Sequence, residues 1–356
     1  MTASAEVPLE INSASVVADA EIVGASPRRL ALARLRRNRP ALAAVAGLVL
    51  IVLACVAAPL YAHFISHTDP FRSNVSGTTV VHGHREAVVP PNPSGLGSTP
   101  IGPTLTGHYF LGADVQGRDV AARLFYGGRT SLIVGVGSAL ITALVGTLVA
   151  LAAGFYGGIL DTVISRLLDL LWAFPVYLVA IALSTVLVLQ GLRIGPVSVN
   201  ANSLWLPTLI IAIIYIPYVA RPIRGEILSL RRREFVESAL GQGASSWRLM
   251  LGELLPNVVP TVLVFMPLLI ATNILTESSL SYLSIGVQPP NASWGTLITD
   301  GQDQLYTRPW VSIAPGLMLV VVIVLLNVIG DGVRDAIDPR GHLPRLSRRR
   351  RRERTR

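Results

Sequence analysis

The residues of this chain best suited to metal chemistry are histidines in one polar stretch. Five of the six histidines lie there: His63, His67, His82, His84 and His108. The spacing of His63 and His67 would place two imidazoles on one helical face, an arrangement that divalent metals use. No cysteine or evident carboxylate partner completes a ligand set in this stretch. The sequence therefore predicts no metal site, and metal handling by these histidines is the weaker alternative.

Several other chemistries are excluded by residues that the chain lacks. It has 30 arginines and no lysine, whereas a Walker A loop and a pyridoxal phosphate Schiff base each require a lysine. The single cysteine, Cys55, rules out an intrachain disulfide and any multi-cysteine zinc or iron-sulfur site. No paired carboxylates or nucleophile and base set point to an enzyme. We expect no catalytic residues in this chain and no cofactor bound by it.

Two polar side chains, Asn273 and Glu277, stand one helical turn apart at the end of an apolar stretch. An ionisable group within a membrane span is costly and is therefore a candidate pathway residue. Water at the membrane interface could also solvate this position. Two roles stay open, contact with a transported substrate and a structural hydrogen bond.

The elements that carry these residues are long apolar segments. Apolar residues make up 51% of the 356 positions and charged residues only 14%. Six blocks without a charged side chain approach the roughly 20 residues that cross a bilayer: Ala41 to Ala62, Ser131 to Phe155, Leu170 to Leu192, Ser203 to Ala220, Val258 to Thr276 and Val311 to Ile329. The sequence predicts an all-α membrane protein with six transmembrane helices, of which Pro175, Pro217 and Pro267 bend the third, fourth and fifth.

Arginine distribution predicts the orientation of these helices. With the N-terminus inside, 23 of the 30 arginines lie on the cytoplasmic side, as the positive-inside rule requires. Both termini are then cytoplasmic, with a disordered and basic tail over residues 1–40 and a basic tail over 341–356. The run Arg348 to Arg352 is expected to hold topology or to contact anionic lipid, and we expect no nucleic acid partner.

The first connection, residues 63–130, is too long for a turn and is expected outside. Its middle is rich in proline and glycine, which predicts extended or irregular surface chain. Its last part, Asp114 to Tyr126, has apolar residues near helical spacing. This part is either a short amphipathic helix on the outer interface or an ordinary helical lead-in to the second span.

The stretch from residue 221 to residue 257 carries the strongest functional signal. At about 35 residues it exceeds the usual length of a connection. It predicts a helix over Phe235 to Leu240, a glycine-rich bend at Gly241 and Gly243, and an amphipathic helix over Ser245 to Leu255. Small residues at such a corner let a partner approach the backbone, and Trp247, Leu249 and Leu251 could anchor in its groove. A self-packing loop is the alternative.

This segment resembles the EAA loop of binding-protein-dependent ABC importer permeases. The triplet is Glu237-Ser238-Ala239, the spaced glycine is Gly243 and the ending is Leu255-Pro256. Ser238 replaces the middle alanine of the family pattern, and Glu253 takes a position that is usually apolar or histidine. On this resemblance the residues that contact an ATPase subunit are Glu237, Ser238, Ala239, Gly243, Ala244, Ser245, Trp247, Arg248 and Pro256.

Three further segments look like the second permease of oligopeptide, dipeptide and nickel importers. They run from Gly112 to Leu132, from Thr276 to Gly295 and from Asn327 to Arg340. The resemblance covers nearly all of the chain from Arg34 to Arg340, with a permease core over residues 131–340. It implies the transmembrane fold of type I ABC importers, with a cytoplasmic coupling helix at about Glu237 to Met250.

The resemblance also implies a set of partners in a bacterial plasma membrane. A homologous permease would enclose the translocation path together with this chain, and two ATPase subunits would use ATP and magnesium beneath them. An extracytoplasmic solute-binding protein would deliver peptides. Nickel or another small solute is an alternative cargo. A secondary transporter or channel is a further alternative, although such proteins usually carry intramembrane charges that these spans nearly lack.

Overall fold

The computed structural model of the full chain describes residues 27–81, 83–92, 97–105, 107–190, 192–194, 197–199 and 203–337. Most of the predicted N-terminal tail, residues 1–26, lies outside the described residues, as do His82 and the basic tail 341–356.

Helices dominate the described residues. They are α1 (Pro27–Arg37), α2 (Arg39–Val56), α3 (Ala58–Leu60), α4 (Val120–Tyr156), α5 (Gly158–Ala173), α6 (Val176–Gln190), α7 (Trp205–Leu230), α8 (Glu234–Gly241), α9 (Ser246–Arg248), α10 (Leu255–Tyr282), α11 (Trp294–Gln302) and α12 (Trp310–Ile337). Two π-helical turns, Tyr61–Ser66 and Leu249–Leu254, continue α3 and α9. Two antiparallel hairpins join β1 (Thr78–Val81) to β2 (His84–Ala87) and β3 (Leu192–Ile194) to β4 (Val197–Val199).

Within the described residues, five helices are long and apolar enough to cross a membrane, and there are six spans when one bent pair of helices is counted as a single span. Span 1 is α2, span 2 is α4, span 3 is the pair α5 and α6, and span 4 is α7. Span 5 runs unbroken over Ser246–Tyr282, and span 6 is α12. The predicted all-α membrane fold is confirmed.

The third span is sharply bent, as expected from Pro175. Its two helices meet at an angle of 92°. Phe174 lies between them with an extended backbone, φ −102° and ψ 145°, because the residue before a proline avoids the α region. The expected bend at Pro175 is therefore present. Pro217 and Pro267 lie inside helices that continue past them, and the bends expected there stay predictions.

Several spans extend beyond their apolar blocks. Span 2 begins at Val120, eleven positions before the predicted start at Ser131. Of the two expectations for Asp114 to Tyr126, the structure has the helical lead-in. Asp119 caps this helix, since its Oδ1 accepts a hydrogen bond from the Ala122 amide at 3.0 Å. Burial raises the pKa of the Asp119 carboxyl.

The long connection before span 2 is packed rather than irregular. Its described residues contain a small apolar core formed by Val88, Val89, Ile101, Tyr109 and Ala113. Tyr109 fixes this core, because its hydroxyl lies 2.9 Å from Asn74 Nδ2 and donates to the Gly117 carbonyl at 3.2 Å. We call the face that carries residues 63–119 the loop face of the subunit.

Span 2 packs closely against span 4. A Cβ at Gly154 would lie 2.7 Å from Ile227 Cγ2, and one at Gly146 would lie 3.0 Å from Val219 Cβ. Small residues of this kind let membrane helices approach each other closely. The C-terminal end of span 2 lies beside the end of span 4, where the Arg231 guanidinium carbon lies 6.0 Å from the Phe155 ring centroid. We call this opposite end the corner face.

Candidate functional site

The corner segment, residues 231–256, comprises the connection between spans 4 and 5 and the first turns of span 5, and the chain turns sharply within it at the corner face. Helix α8 ends at Gly241, and Gly243 takes a left-handed backbone with φ +79°, which glycine adopts without steric cost. Two backbone bonds close the turn, Gly243 N to Leu240 O at 2.9 Å and Ala244 N to Ala239 O at 3.1 Å. Span 5 then begins with Ser245 as the N-cap residue of α9.

The corner segment is shorter than the stretch predicted from the sequence. Residues up to Leu230 belong to span 4, so the first ten positions of the predicted loop 221–257 are helix. The helix that follows the bend does not end before span 5, because α9, the π-helical turn and α10 form one continuous span over Ser246–Tyr282. The docking segment is therefore one end of a transmembrane helix.

Most of the predicted contact residues face outward at this corner. Seven of the nine are exposed, namely Glu237, Ser238, Gly243, Ser245, Trp247, Arg248 and Pro256, whereas Ala239 and Ala244 are half-buried. Trp247 is 66% exposed and Leu251 is 46% exposed. A large aromatic side chain in the open is suited to bury against a partner surface.

One predicted anchor does not face outward. Leu249 is fully buried and Met250 is 5% exposed, so Leu249 packs into the subunit instead of a partner groove. The prediction was wrong because residues two apart on a helix point about 200° away from each other, so Trp247 and Leu251 share the outer face and Leu249 lies on the opposite one.

A hydrophobic base supports the exposed corner. Val236, Leu249 and Leu254 have no exposed surface, and they join one apolar cluster with Leu168 of span 3 and Ile227 of span 4. Buried side chains in such a cluster interlock at high packing density and transmit strain. A load applied to the corner therefore reaches several spans.

Two arginines that sequence reasoning left without a role hold span 3 to span 4 near the corner. The Arg224 guanidinium pairs with the Asp161 carboxylate, and Arg221 pairs with Asp169. Arg221 also lies over the Trp172 ring, 4.3 Å from its centroid. The sequence signal for these pairs was an acidic residue in an otherwise apolar segment, but the partners are 63 residues apart for Arg224 and Asp161 and 52 apart for Arg221 and Asp169.

Asn273 and Glu277 lie inside the subunit, and both side chains are fully buried. The Asn273 amide and the Ser138 hydroxyl of span 2 are hydrogen-bonded at 2.9 Å. The Ser281 hydroxyl donates to Glu277 Oε1 at 2.7 Å, and the Ser131 and Ser293 hydroxyls also bond this carboxyl. Lining a path needs a solvent-facing surface, which neither side chain has here, so the geometry favours the structural hydrogen bond.

An ion-pair network that the sequence did not reveal joins the loop face to span 2. Asp114 Oδ2 accepts from Arg118 Nε at 2.7 Å and from Arg123 Nη1 at 2.9 Å. Asp300 Oδ2 of α11 accepts from the same two arginines, each at 2.9 Å. Shared hydrogen bonds of this kind fix geometry when the charges are buried. The network therefore ties α11 to the start of span 2.

The described histidines do not gather into a metal site. No group of three or more histidine, cysteine or acidic side chains with metal-binding geometry occurs within the residues described. His67 and His108 do meet, with ring centroids 5.4 Å apart, and His108 Nδ1 lies 2.8 Å from the Ser66 carbonyl oxygen. His63 packs against Phe64, and His84 is exposed in β2.

Two families match this sequence. Residues 143–342 match the binding-protein-dependent transport system inner membrane component family. Residues 26–75 match the N-terminal transmembrane domain of oligopeptide transport permease C. The first match covers the bent third span, the corner segment, Glu277 and span 6.

Known proteins resemble the chain along most of its length. The oligopeptide transport system permease protein OppC of Escherichia coli K12 is 36% identical over 324 residues, which is 90% of this chain and 93% of that protein. OppC of Bacillus subtilis is 33% identical, over 87% and 88% of the two chains. The glutathione transport system permease protein GsiD of Pectobacterium atrosepticum is 37% identical, over 65% and 73%.

Solved structures are also similar to the chain. A chain of the inward-facing MetNI methionine ABC transporter aligns with a TM-score of 0.47 and 16% identity, over 60% of this chain and 96% of that chain. The family match covers more than half of the chain, and the 36% identity to OppC extends over 90% of it. Together these two matches identify the family. The chain belongs to the binding-protein-dependent transport system inner membrane components, which are permease subunits of ABC transporters.

Proposed function

We propose that this chain is a permease subunit of an ATP-driven importer and forms half of a translocation path for di- and oligopeptides. A homologous permease supplies the other half, and an extracytoplasmic solute-binding protein delivers the peptide at the loop face. Two separate ATPase subunits bind and hydrolyse ATP with magnesium. The corner face and both termini are cytoplasmic, and the membrane is the bacterial plasma membrane.

The observation that carries this proposal is the exposed corner at the start of span 5. Trp247 and Arg248 project from a turn whose base is buried among spans 3 and 4. A motor subunit that gripped this corner would move three spans as one body, as rigid-body switching requires. A solvated loop without partners would not need a buried base under an exposed tryptophan.

Peptide is the cargo that the relatives favour. The two OppC proteins are named for oligopeptide transport, and GsiD is named for transport of glutathione, itself a peptide. We extend this substrate class to the present chain because the identity to OppC covers 90% of its length. The importer should accumulate labelled di- and oligopeptides in proteoliposomes that contain ATP, and its binding protein should purify with a peptide ligand. Nickel as the bound ligand would contradict the peptide assignment.

Coupling at the corner is tested by Gly243→Trp, which places a large side chain at the bend. Gly83→Trp is a matched control, because both glycines have a left-handed backbone and open space around a Cβ, but Gly83 lies at the loop face. We expect Gly243→Trp to abolish co-purification of the ATPase subunits and ATP-driven uptake, and Gly83→Trp to retain co-purification. If Gly243→Trp retains both co-purification of the ATPase subunits and ATP-driven uptake at the wild-type level, the corner is not the ATPase contact.

A further inference from the structure

An apolar groove opens at the loop face between spans 1, 2 and 6. Its volume is about 540 Å³, within the usual size range of small-ligand pockets. The lining residues come from the end of span 1, the loop, the start of span 2 and span 6: Tyr61, Ile65, Leu105, Gly107, Phe110, Leu111, Ala121, Leu124, Phe125 and Met318. None of them belongs to the corner segment or to the Glu277 cluster.

The groove has the polarity of a site for a hydrocarbon chain. The hydroxyl of Tyr61 is the single side-chain oxygen among the lining residues, and the Tyr61 ring packs edge-on against Phe125 with centroids 5.2 Å apart. Within the described part of the chain this hydroxyl is buried without a hydrogen-bond partner. Buried hydroxyls are normally paired, so an occupant that offers an acceptor to Tyr61 would complete the site.

The rim of the groove is polar. His67 and His108 follow the lining residues Ile65 and Gly107 closely in sequence, both are exposed, and their rings pack against each other at 5.4 Å. His108 Nδ1 already donates to the Ser66 carbonyl oxygen, and a neutral imidazole has a single N–H, so His67 is the ring that can donate a hydrogen bond to a phosphate here. The groove therefore offers an apolar interior and a hydrogen-bonding edge, which is the polarity of a phospholipid.

The groove also lies at the depth of a membrane interface. Span 1 begins at Arg39, and a helix crosses the hydrocarbon in roughly 20 residues, so Tyr61 stands near the level where acyl chains meet headgroups. Met318 lies a little more than two turns into span 6. The groove is thus continuous with the lipid-facing surface of the spans.

We propose that this groove binds a phospholipid of the leaflet at the loop face. One acyl chain fills the apolar interior, an ester oxygen accepts from the Tyr61 hydroxyl, and the phosphate lies against His67 and His108. The bound lipid packs the end of span 1 against the start of span 2. This site is independent of the peptide path and of the ATPase contact.

The proposal is tested with a phosphatidylglycerol that carries a photoreactive diazirine on its acyl chain. It is introduced into membrane vesicles of cells that produce the full-length chain together with its importer partners. After illumination, we expect cross-links to concentrate on peptides that contain residues 61–65 and 107–125. Uniform labelling along all the lipid-facing spans would overturn the proposal.

Three variants sharpen this test. Ile65→Trp fills the groove from a half-exposed position, and we expect it to reduce labelling at the groove at least about fivefold. Leu140→Trp is the matched control on the exposed surface of span 2, where Leu140 is 56% exposed, and it should leave that labelling unchanged. Tyr61→Phe removes only the hydroxyl, and we expect about a three- to tenfold loss of labelling, the range of one hydrogen bond.

A second readout identifies any other occupant. The photoreactive residue benzoylphenylalanine placed at position 65 should cross-link to lipid. A cross-link to a partner subunit instead would mean that the groove is a protein contact and would overturn the lipid assignment. Equal labelling of the groove by the photoreactive lipid in wild-type and Ile65→Trp vesicles would also overturn the lipid assignment.

Discussion

At the residue scale, the buried carboxyl of Glu277 poses a clear question. It has no cationic partner within 4.0 Å among the described residues, yet serine hydroxyls from spans 2 and 5 and from the N-cap of α11 surround it. Hydrogen bonds can satisfy a buried acceptor where an ion pair is absent. The cluster therefore fastens three elements together at one point near the loop face.

The structural role of Glu277 predicts a stability effect. Glu277→Ala leaves the serine hydroxyls without their acceptor, which costs about 1–3 kcal/mol, and should lower the temperature at which the detergent-solubilised subunit aggregates. Glu277→Gln keeps one acceptor oxygen and should lose less. Glu237→Ala, an exposed acid at the corner, should change stability by less than about 0.5 kcal/mol. The measurement is size-exclusion chromatography after heating. If Glu277→Ala keeps the wild-type transition but loses uptake, the side chain belongs to the substrate path.

At the element scale, glycines set how closely spans 2 and 4 approach. Gly154→Ala would bring a Cβ to 2.7 Å from Ile227 Cγ2, whereas a Cβ at Gly225 on span 4 meets nothing within 4 Å. We expect Gly154→Ala to destabilise the subunit by about 1–3 kcal/mol through overpacking. Gly225→Ala should stabilise it by up to about 1 kcal/mol through helix propensity. Thermal unfolding in one detergent compares them, and a stabilising Gly154→Ala would contradict the close packing.

The corner offers a second element-scale contrast between neighbouring residues. Trp247 is exposed and Leu249 is buried, so the two positions should separate docking from folding. Trp247→Ala should weaken ATPase binding by at least about tenfold, as expected for an interface hot spot, with unchanged thermal stability. Leu249→Ala should destabilise the subunit by about 2–5 kcal/mol. Titration of purified ATPase onto reconstituted permease measures the first effect. Unchanged ATPase affinity in Trp247→Ala would remove this side chain from the contact.

Hydropathy located every span but misplaced several ends. It detects only the part of a helix that needs a hydrocarbon environment, whereas backbone hydrogen bonding continues until a cap or a proline stops it. Span 2 therefore starts at Val120, directly after its N-cap Asp119, and span 4 continues past Arg221 and Arg224 to Leu230. Leu249 was misassigned because residues two apart on a helix do not share a face, so a leucine two positions from the exposed Trp247 points into the subunit.

The candidate site was also predicted only in part. The exposed residues of the corner were found from local spacing and family resemblance, because small residues and a glycine bend are adjacent in sequence. The network of Asp114, Arg118, Arg123 and Asp300 was missed, since Asp300 is 182 residues from Arg118. One unaligned sequence contains no signal for a pair at that separation.

At the scale of the whole molecule, span 5 connects the two faces. The continuous helix Ser246–Tyr282 has 37 residues, which is about 55 Å at 1.5 Å per residue. Its first turn presents Trp247 at the corner, and Glu277 near its other end binds span 2 and α11. Movement of the corner would therefore reach the Glu277 cluster through one helix, and α11, which carries Asp300, links that cluster to Arg118 and Arg123.

Span 5 can link the ATPase contact to the loop face only if the corner face is cytoplasmic and the loop face lies outside. The single cysteine makes this testable, because Cys55 is 1% exposed and can be replaced by alanine. In that background, Tyr306→Cys places a thiol at the loop face, where Tyr306 is 102% exposed. Trp247→Cys places one at the corner face. A membrane-impermeant maleimide then reports the side of each.

We expect intact cells to label Tyr306→Cys and not Trp247→Cys, because the orientation predicted from the sequence places 23 of the 30 arginines on the cytoplasmic side. In denaturing detergent both variants should label equally, which controls for expression and for protection by partner subunits. The background without cysteine should not label at all. Labelling of Trp247→Cys in intact cells would mean that the corner face lies outside the cell. An ATPase contact at the corner would then be impossible.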